Sequence, residues 1–439
     1  MKRVFVILAV LFIGLVLFAG CTENQAAVGS PQKLKIGVVA SMTGPASTTG
    51  KDVWQSAVLA ADEINAAGGV YVKELGKNVT IELVQGDDES TREGGQKAVS
   101  KLITQDNVDL LVGGFSSAVV SAHESTVADY SVPYIVSGAS SPIITHRTDV
   151  KTDTVFHHAP TTDDSGGQTT LFIDDTIRPA INAKFGFPSD RPLRLSVIYQ
   201  DSPYGKGQLD AIKKTIAASN LSINVISEDA FKMGESDFRT VLTSVKNADP
   251  DVVYVAAFLN EQTALVTQAR RDVGLDKIFI AVECNDDPDY YSGIGRYGEY
   301  SIIQSRFSPY AVPSGPIEQS VNKFMSDFDK KWGGFPGMMG AATYEAVYIG
   351  ANAVEDAGSL NKTRVNEAIG GTTMPQMVEA MKNETISFTP DFRESKFDLY
   401  MEQLIWNETA KETRPVIVWP AKLKETDFVI PDWFKPGQE

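Results

Sequence analysis

Three loops rich in Gly, Ser and Thr contain the residues best suited to bind a small molecule. They occupy residues 41–50, 113–117 and 137–141, and each follows a short apolar run. Small residues let the backbone approach a ligand closely, hydroxyl groups donate hydrogen bonds, and free amides at a helix start attract anions such as carboxylates. Any one of these loops could simply be a turn between a strand and a helix, but three in succession favour a binding site.

Alternating patterns along the chain predict the elements that position these loops. Short runs rich in Val and Ile alternate with longer segments in which the spacing of apolar residues is typical of helices, as in residues 53–64 and 209–216. This alternation predicts an α/β fold with parallel sheets, in which ligands bind beyond the carboxyl ends of the strands. Buried strands are predicted at residues 35–40, 80–84, 110–112, 134–136, 194–199, 252–256, 277–282 and 301–304.

Length and charge restrict the classes of protein that this sequence can encode. A chain of 439 residues allows two or three domains. Its 56 acidic residues outnumber the 40 Lys and Arg residues and give a net charge of −16, which excludes nucleic acid as an expected partner. Cys21 and Cys284 are the two cysteines, too few for a disulfide framework or a thiolate zinc site.

The first residues predict export. A charged start is followed by an apolar run at residues 4–19, the pattern of a signal peptide covering residues 1–20. The residues up to Cys21 resemble a lipobox, after which Cys21 is lipidated and becomes the mature N-terminus. Residues 21–33 then form a flexible, lipid-anchored linker. We expect an extracytoplasmic protein anchored to the outer face of the cell membrane, with an uncleaved anchor helix as the alternative.

Other motifs do not support catalysis or cofactor binding. Residues 44–51 resemble a phosphate-binding loop but have the wrong glycine spacing, and the G-x-G-x-x-G pattern at 293–298 leads into a strand instead of a helix. We interpret His157 and His158 as polar surface residues, and Cys284 as a packed or pocket-lining thiol. The sequence therefore predicts no metal, no cofactor and no enzymatic activity.

A further set of motifs extends from about Leu34 to about Pro420. The set comprises Ile36-Gly37-Val38, Thr43-Gly44-Pro45, Gly50, residues 62–69, Asp87-Asp88, residues 112–117, Tyr204-Gly205, residues 268–275, Tyr344-Glu345-Ala346 and Val418-Trp419-Pro420. Together these motifs resemble the branched-chain amino-acid (Leu/Ile/Val) binding proteins of ABC importers. That family has the type I periplasmic binding protein fold.

The resemblance implies two Rossmann-like α/β lobes with parallel sheets, joined by a three-segment hinge that lets the cleft close on a ligand. By this analogy the N-terminal lobe comprises residues 34–156 with 307–395. The C-terminal lobe comprises residues 157–306 with 396–439. The Pro, Thr and Asp residues at 157–164 independently indicate a passage between domains.

The resemblance also implies ligand-binding positions on both lobes. The first lobe would bind the carboxylate through residues 115–117 and both the carboxylate and the ammonium group through residues 139–141. The second lobe would close over the ligand and pair Glu283 with the α-ammonium group. A solvated acidic loop is the alternative for Glu283, because Asp286, Asp287 and Asp289 follow it. Thr49 stands where the family often has an aromatic lid, so we expect a wider pocket there. The implied ligand-binding residues are Phe115, Ser116, Ser117, Ala139, Ser140, Ser141, Tyr204, Phe258 and Glu283.

These groups together suit an amino acid. A zwitterion loses hydration at both ends on burial, which costs several kcal/mol per ion unless each charge meets partners. Loop amides and hydroxyls suit the carboxylate, and one buried Glu suits the ammonium group. We therefore predict an extracytoplasmic solute-binding lipoprotein of an ABC importer that binds a branched-chain or other apolar amino acid, with permease and ATPase subunits as partners. The alternatives are a receptor for an amide, urea or aromatic acid, and a sensory ligand-binding protein.

Overall fold

A computed structural model describes residues 32–409 and 411–438 of the chain, with the exception of the Glu283 side chain. The predicted signal peptide and the lipidation site at Cys21 lie outside the described residues. None of the helices in the described ranges has both the length and the apolar character needed to cross a membrane.

Two sheets form the centre of the fold. The first has the strand order β4-β1-β5-β6-β7 and is entirely parallel, and the second has the order β16-β15-β12-β11-β10-β8-β9, with β15 and β16 antiparallel at one edge. The described strands are β1 (Leu34–Ala40), β2 (Val70–Val72), β3 (Lys77–Val79), β4 (Ile81–Asp87), β5 (Leu110–Gly113), β6 (Tyr134–Val136), β7 (Val155–His157), β8 (Leu193–Gln200), β9 (Ile223–Phe231), β10 (Val252–Ala256), β11 (Ile278–Ala281), β12 (Ile302–Ser305), β13 (Thr373–Pro375), β14 (Thr385–Ser387), β15 (Tyr400–Asn407) and β16 (Glu412–Trp419).

The predicted strands are confirmed with small shifts at their ends. β6, β10 and β11 are buried along their whole length, because helices cover both faces of each sheet. A strand buried on both faces has no polar alternation, and this explains the continuous Val and Ile runs in the sequence.

Helices connect the strands and cover the sheets. They are α1 (Ser47–Ala66), α2 (Arg92–Thr104), α3 (Ser117–Asp129), α4 (Ile143–His146), α5 (Thr162–Phe172), α6 (Arg178–Phe185), α7 (Pro203–Ser219), α8 (Arg239–Ala248), α9 (Leu259–Gln268), α10 (Pro288–Ile294), α11 (Glu318–Trp332), α12 (Met338–Ala357) and α13 (Lys362–Gly370). Thr161, Ser202 and Asn361 cap the starts of α5, α7 and α13 by accepting backbone amides with their side chains. Gly186 and Gly358 end α6 and α12 in the left-handed conformation.

The chain passes between the two sheets three times. The crossings follow β7, follow β12, and precede β15. Two of them run side by side, because the His157 amide donates to the Arg393 carbonyl at 2.8 Å and the Ser395 amide donates to the His157 carbonyl at 3.0 Å. This arrangement confirms the predicted two-lobe fold class. The lobe boundaries at residues 156, 306 and 395 stay a prediction.

Two glycines bring α1 and α7, the helices that follow β1 and β8, close to the strands before them. A Cβ atom at Gly50 in α1 would lie 1.9 Å from the Ser41 carbonyl oxygen, and a Cβ atom at Gly205 in α7 would lie 2.0 Å from the Gln200 carbonyl oxygen. A backbone carbonyl cannot move aside as a flexible side chain can. Only glycine therefore allows these helices to start so near the sheet edge.

Replacing Gly50 by Ala should lower the free energy of unfolding by about 1 to 3 kcal/mol, because the added methyl group overpacks this contact. Gly167→Ala is the matched control, since Gly167 also lies inside a helix but its nearest neighbour is the Thr215 hydroxyl at 3.3 Å. Helix propensity alone favours Ala over Gly by about 0.5 to 1 kcal/mol. Urea unfolding measures both variants, and equal effects would contradict the steric argument.

Candidate ligand-binding site

The loop predicted at residues 113–117 ends at the start of α3. Phe115, Ser116 and Ser117 follow β5, and all three are buried. The Ser116 hydroxyl does not cap the helix, so the first amides of α3 receive no side-chain acceptor from that residue. A helix start of this kind is suited to binding an anion such as a carboxylate.

The loop predicted at residues 137–141 contacts the loop at residues 113–117. The Ser141 amide donates to the Ser117 hydroxyl at 3.1 Å, and the Ala139 amide donates to the Gly114 carbonyl at 2.9 Å. The Ser140 carbonyl in turn accepts the Thr162 amide at 2.8 Å, which joins this loop to the first crossing. The two serine-rich loops therefore lie together at the carboxyl edge of the first sheet, as the sequence predicts.

Aromatic rings from both lobes meet across the cleft. The centroid of the Phe115 ring lies 4.5 Å from that of Phe258, and the Phe258 ring stacks on Tyr204 at 5.5 Å. The Glu261 carboxylate accepts the Phe258 amide at 3.0 Å and fixes the loop that carries the ring. Each of the three rings is buried. They form one apolar contact between the first sheet, through Phe115, and the second.

Cys284 is a packed thiol next to this aromatic cluster. Its sulfur lies 3.9 Å from the Tyr204 hydroxyl and donates to the Ala257 carbonyl at 3.5 Å. The Asn285 side chain also donates to the Ala257 carbonyl, at 3.1 Å. These contacts confirm the interpretation of Cys284 as a packed or pocket-lining residue.

Glu283 starts a 3-10 turn, Glu283–Asn285, directly after β11. This places its backbone at the same sheet edge as Phe258, which follows the neighbouring strand β10. Its side chain lies outside the described part of the structure, so its predicted pairing with an ammonium group stays a prediction. The next two acidic residues do not form a solvated loop, because Asp286 and Asp287 are buried.

A buried network of charged residues, which the sequence analysis missed, joins the three crossings. The His158 ring bonds to the Ser395 hydroxyl at 2.9 Å through Nδ1, and through Nε2 it contacts Glu345 at 2.9 Å and Glu379 at 3.3 Å. Arg306 donates from Nε to the other oxygen of Glu379. His158, Arg306 and Ser395 come from the first, second and third crossings, respectively.

The prediction that His157 and His158 are surface residues was wrong. Both are fully buried. Burial lowers the pKa of His157 to about 4, so its neutral ring donates from Nε2 to the Ala139 carbonyl at 2.5 Å. One signal was present in the sequence: Glu345 stands alone among apolar residues in the middle of α12, and a buried acid requires a partner.

Charge pairing determines the protonation of this network. Burial lowers the pKa of His158, but its hydrogen bonds to Glu345 and Glu379 outweigh burial and raise the pKa to about 9. His158 is therefore protonated at neutral pH. Burial raises the pKa of Glu345, although this carboxylate accepts the amides of Val378 at 2.6 Å and Glu379 at 2.8 Å and bonds to His158, contacts that favour its ionised form.

The same side chains have the composition of a metal site. Ligand atoms of His158, Glu345 and Glu379 lie within 4.8 Å of one another. A protonated His158 already pairs with both carboxylates, and Arg306 bonds to Glu379. The arrangement is therefore better suited to an ion-pair network than to a metal ion.

Two α/β lobes, a three-segment hinge and binding loops at the sheet edges define the class of hinged solute-binding proteins. Residues 33–401 match the periplasmic binding protein family, and the chain belongs to that family. It is 28% identical to the Leu/Ile/Val-binding protein BraC3 of Rhizobium johnstonii, over 54% of this chain and 57% of that relative. It is 24% identical to the leucine-, isoleucine-, valine-, threonine- and alanine-binding protein of Pseudomonas aeruginosa, over 77% of this chain and 83% of that relative.

Solved structures support the same fold. The branched-chain amino-acid substrate-binding protein LivJ from Streptococcus pneumoniae, in complex with isoleucine, superimposes with a TM-score of 0.70 at 22% identity, covering 88% of this chain and 100% of that one. A solute-binding protein from R. palustris in complex with benzoate gives a TM-score of 0.71 at 16% identity, covering 91% and 99%. The family comprises solute-binding proteins of ABC transporters and not enzymes, so the predicted class is confirmed.

Replacing His158 by Gln should lower the free energy of unfolding by about 3 to 5 kcal/mol, because it removes a charge that pairs with two buried carboxylates. His146→Gln is the matched control. His146 also pairs with a carboxylate, Glu394 at 2.7 Å, but its side chain is 36% exposed. Its loss should cost less than about 1 kcal/mol. Urea unfolding of both variants measures the difference.

The cost of losing His158 should also depend on pH. A pKa of about 9 in the folded state, against an ordinary value of 6.5, makes the contribution of the proton complete below pH 6.5. That contribution is lost as the pH rises through 9. A stability difference between wild type and His158→Gln that stays constant across this range would show that the ring acts by packing alone.

Proposed function

We propose that this protein is the solute-binding component of an ABC importer and that it binds a branched-chain or other apolar amino acid. The observation that carries the proposal is the position of the buried Phe115 ring. It stands between the Ser116-Ser117 loop at the start of α3 and the Phe258 ring of the other lobe. A helix start that is suited to binding a carboxylate therefore lies next to an apolar contact that both lobes share.

Each part of an amino acid has a counterpart in this arrangement. The carboxylate would bind the first amides of α3 and the hydroxyls of the two serine loops. The side chain would pack against Phe115, Phe258 and Tyr204, where each buried CH₂ contributes about 0.8 kcal/mol. Glu283, at the edge of the second sheet, would pair with the ammonium group. Size selection would depend on the three rings.

Closure follows from the same geometry. Phe115 follows β5 of the first sheet and Phe258 follows β10 of the second, so a ligand that packs against both rings contacts both lobes only when the cleft is closed. Only this difference in affinity between the open and closed forms shifts the equilibrium. The closed form would then be the one that the permease recognises.

The relatives support the amino-acid ligand, since two of them are named for Leu, Ile and Val binding. The benzoate complex of the R. palustris protein supports a second candidate, an aromatic acid. An aromatic acid would use the same carboxylate loop and the same rings. It would have no use for Glu283, and this difference separates the two candidates.

Replacing Glu283 by Gln should weaken the binding of leucine, isoleucine and valine by more than about tenfold, or 1.4 kcal/mol, because the ammonium group loses its charged partner. The affinity for 4-methyl-2-oxopentanoate, which has the leucine side chain but no ammonium group, should not change. Glu318→Gln, which removes the same charge from an exposed position, is the matched control. Isothermal titration calorimetry measures all three proteins. Binding of benzoate without any binding of amino acids would favour the aromatic-acid candidate.

We propose further that the chain is exported, cleaved before Cys21 and lipidated there, which would tether the protein beside its permease and ATPase subunits. Cys21→Ser should then move the protein from the membrane fraction to the soluble fraction, because the thiol that carries the lipid is lost. Immunoblotting of the two fractions measures the distribution. Continued membrane retention of the variant would indicate an uncleaved anchor helix instead.

A further inference from the structure

A cavity of about 560 Å³ lies between the two lobes, apart from the predicted ligand-binding residues. Lys51 and Asp52 of α1 line this cavity together with Trp332 at the end of α11, Phe335 in the loop after it, and Asp287 of the second lobe. Binding sites for small molecules have volumes of about 300 to 1,000 Å³. Met42, Ser47 and Thr48 of the predicted loop at residues 41–50 line this cavity, but none of the residues implied by the family resemblance that has a described side chain does.

Two carboxylates from opposite lobes face this cavity. Asp52 is 8% exposed and accepts the Gly340 amide at 2.6 Å, and Asp287 is 7% exposed and accepts the Asp289 amide through Oδ1 at 2.8 Å. The second oxygen of Asp287, Oδ2, accepts no hydrogen bond from any described residue. No Lys, Arg or His side chain in the described ranges forms an ion pair with either carboxylate. Lys51 lines the same cavity but forms no ion pair with Asp52 or Asp287, so neither buried carboxyl group has a cationic partner among the described residues.

Burial of Asp52 and Asp287 near other acidic residues raises the pKa of both carboxyl groups. Burial, followed by the charge of Asp287, raises the pKa of Asp52 well above its ordinary value. Burial also raises the pKa of Asp287 to about 7, with further contributions from the charges of Asp289 and Asp286. A cation in the cavity would remove this repulsion and stabilise both carboxylates.

The aromatic wall indicates which kind of cation fits. Phe328 is buried, while Trp332 and Phe335 are 37% and 40% exposed next to the cavity. Aromatic faces attract organic cations, and quaternary ammonium groups in particular bind in aromatic cages. Among the described residues, the acids around this cavity do not form a group of three converging metal ligands. The lining therefore favours an organic cation over a metal ion.

We propose that the cavity between the lobes binds an organic ammonium cation, which pairs with Asp52 of the first lobe and Asp287 of the second while its apolar part packs against Trp332 and Phe335. Because the cation contacts both lobes, it stabilises the closed form. The site needs neither Glu283 nor the serine loops, and it stands whether or not the protein binds amino acids.

Choline is the probe that tests this proposal. It should bind the wild-type protein in isothermal titration calorimetry, and 3,3-dimethylbutan-1-ol, which has the same shape without the charge, should bind at least about tenfold more weakly. Asp287→Asn and Asp52→Asn should each weaken choline binding by at least about tenfold. Asp210→Asn, which removes the same charge from an exposed position on α7, should leave the affinity unchanged. Trp332→Leu changes a partly exposed residue, so it tests the aromatic wall even if an Asp variant fails to fold.

The affinity for choline should increase as the pH rises from about 6 to about 8, because Asp287, whose pKa burial raises to about 7, must be ionised to pair with it. The titratable and charged groups at the cavity are Lys51, Asp52, Asp287 and Asp289, with Asp286 adjacent to Asp287. Equal binding of choline and the neutral alcohol, or unchanged choline affinity in Asp287→Asn and Trp332→Leu, would overturn the proposal. Titration with leucine in the same proteins tests the amino-acid site separately.

Discussion

The two-lobe architecture depends on the ion pairs buried where the three crossings meet. His158, Arg306 and Ser395 come from three different crossings, and Glu345 and Glu379 hold the two cations together. Removing one charge of such a network leaves its partners buried without compensation, so the network strongly resists separation of the crossings. The segments that join the lobes are therefore held together in this region.

Local patterns predicted the sheets and the serine loops because their causes are local. Strands buried on both faces need continuous apolar runs, and the carboxyl ends of neighbouring parallel strands necessarily share one edge. The hinge network was not predictable in this way. His158 lies 187 residues from Glu345 and 237 residues from Ser395, so no pattern along the chain relates them. The Pro, Thr and Asp residues after His158 are typical of a surface loop, and burial became evident only from the packing of the three crossings.

Two regions between the lobes differ in chemistry: one is an aromatic contact, and the other contains two buried carboxyl groups. The aromatic contact between Phe115 and Phe258 is apolar and close, and the neighbouring serine loops would supply the polar part of the proposed site. Asp52 and Asp287 line a cavity elsewhere between the lobes, and the charge of Asp287 adds to burial in raising the pKa of Asp52. In the proposed mechanism, closing the lobes would depend on favourable contacts in one place and on charge compensation in the other.

The order of elements along the chain has a consequence for folding during synthesis. Helix α12 packs on the first sheet, where Gly350 lies against Leu110 and Ile135, yet it is translated after β8 to β12 of the second sheet. The ribosome thus releases the strands of the first sheet well before the helix that covers them. Until residue 350 emerges, the nascent polypeptide exposes an uncovered apolar surface to which a chaperone can bind. The lobe that is synthesised first therefore cannot complete its folding before the strands of the second sheet have been synthesised.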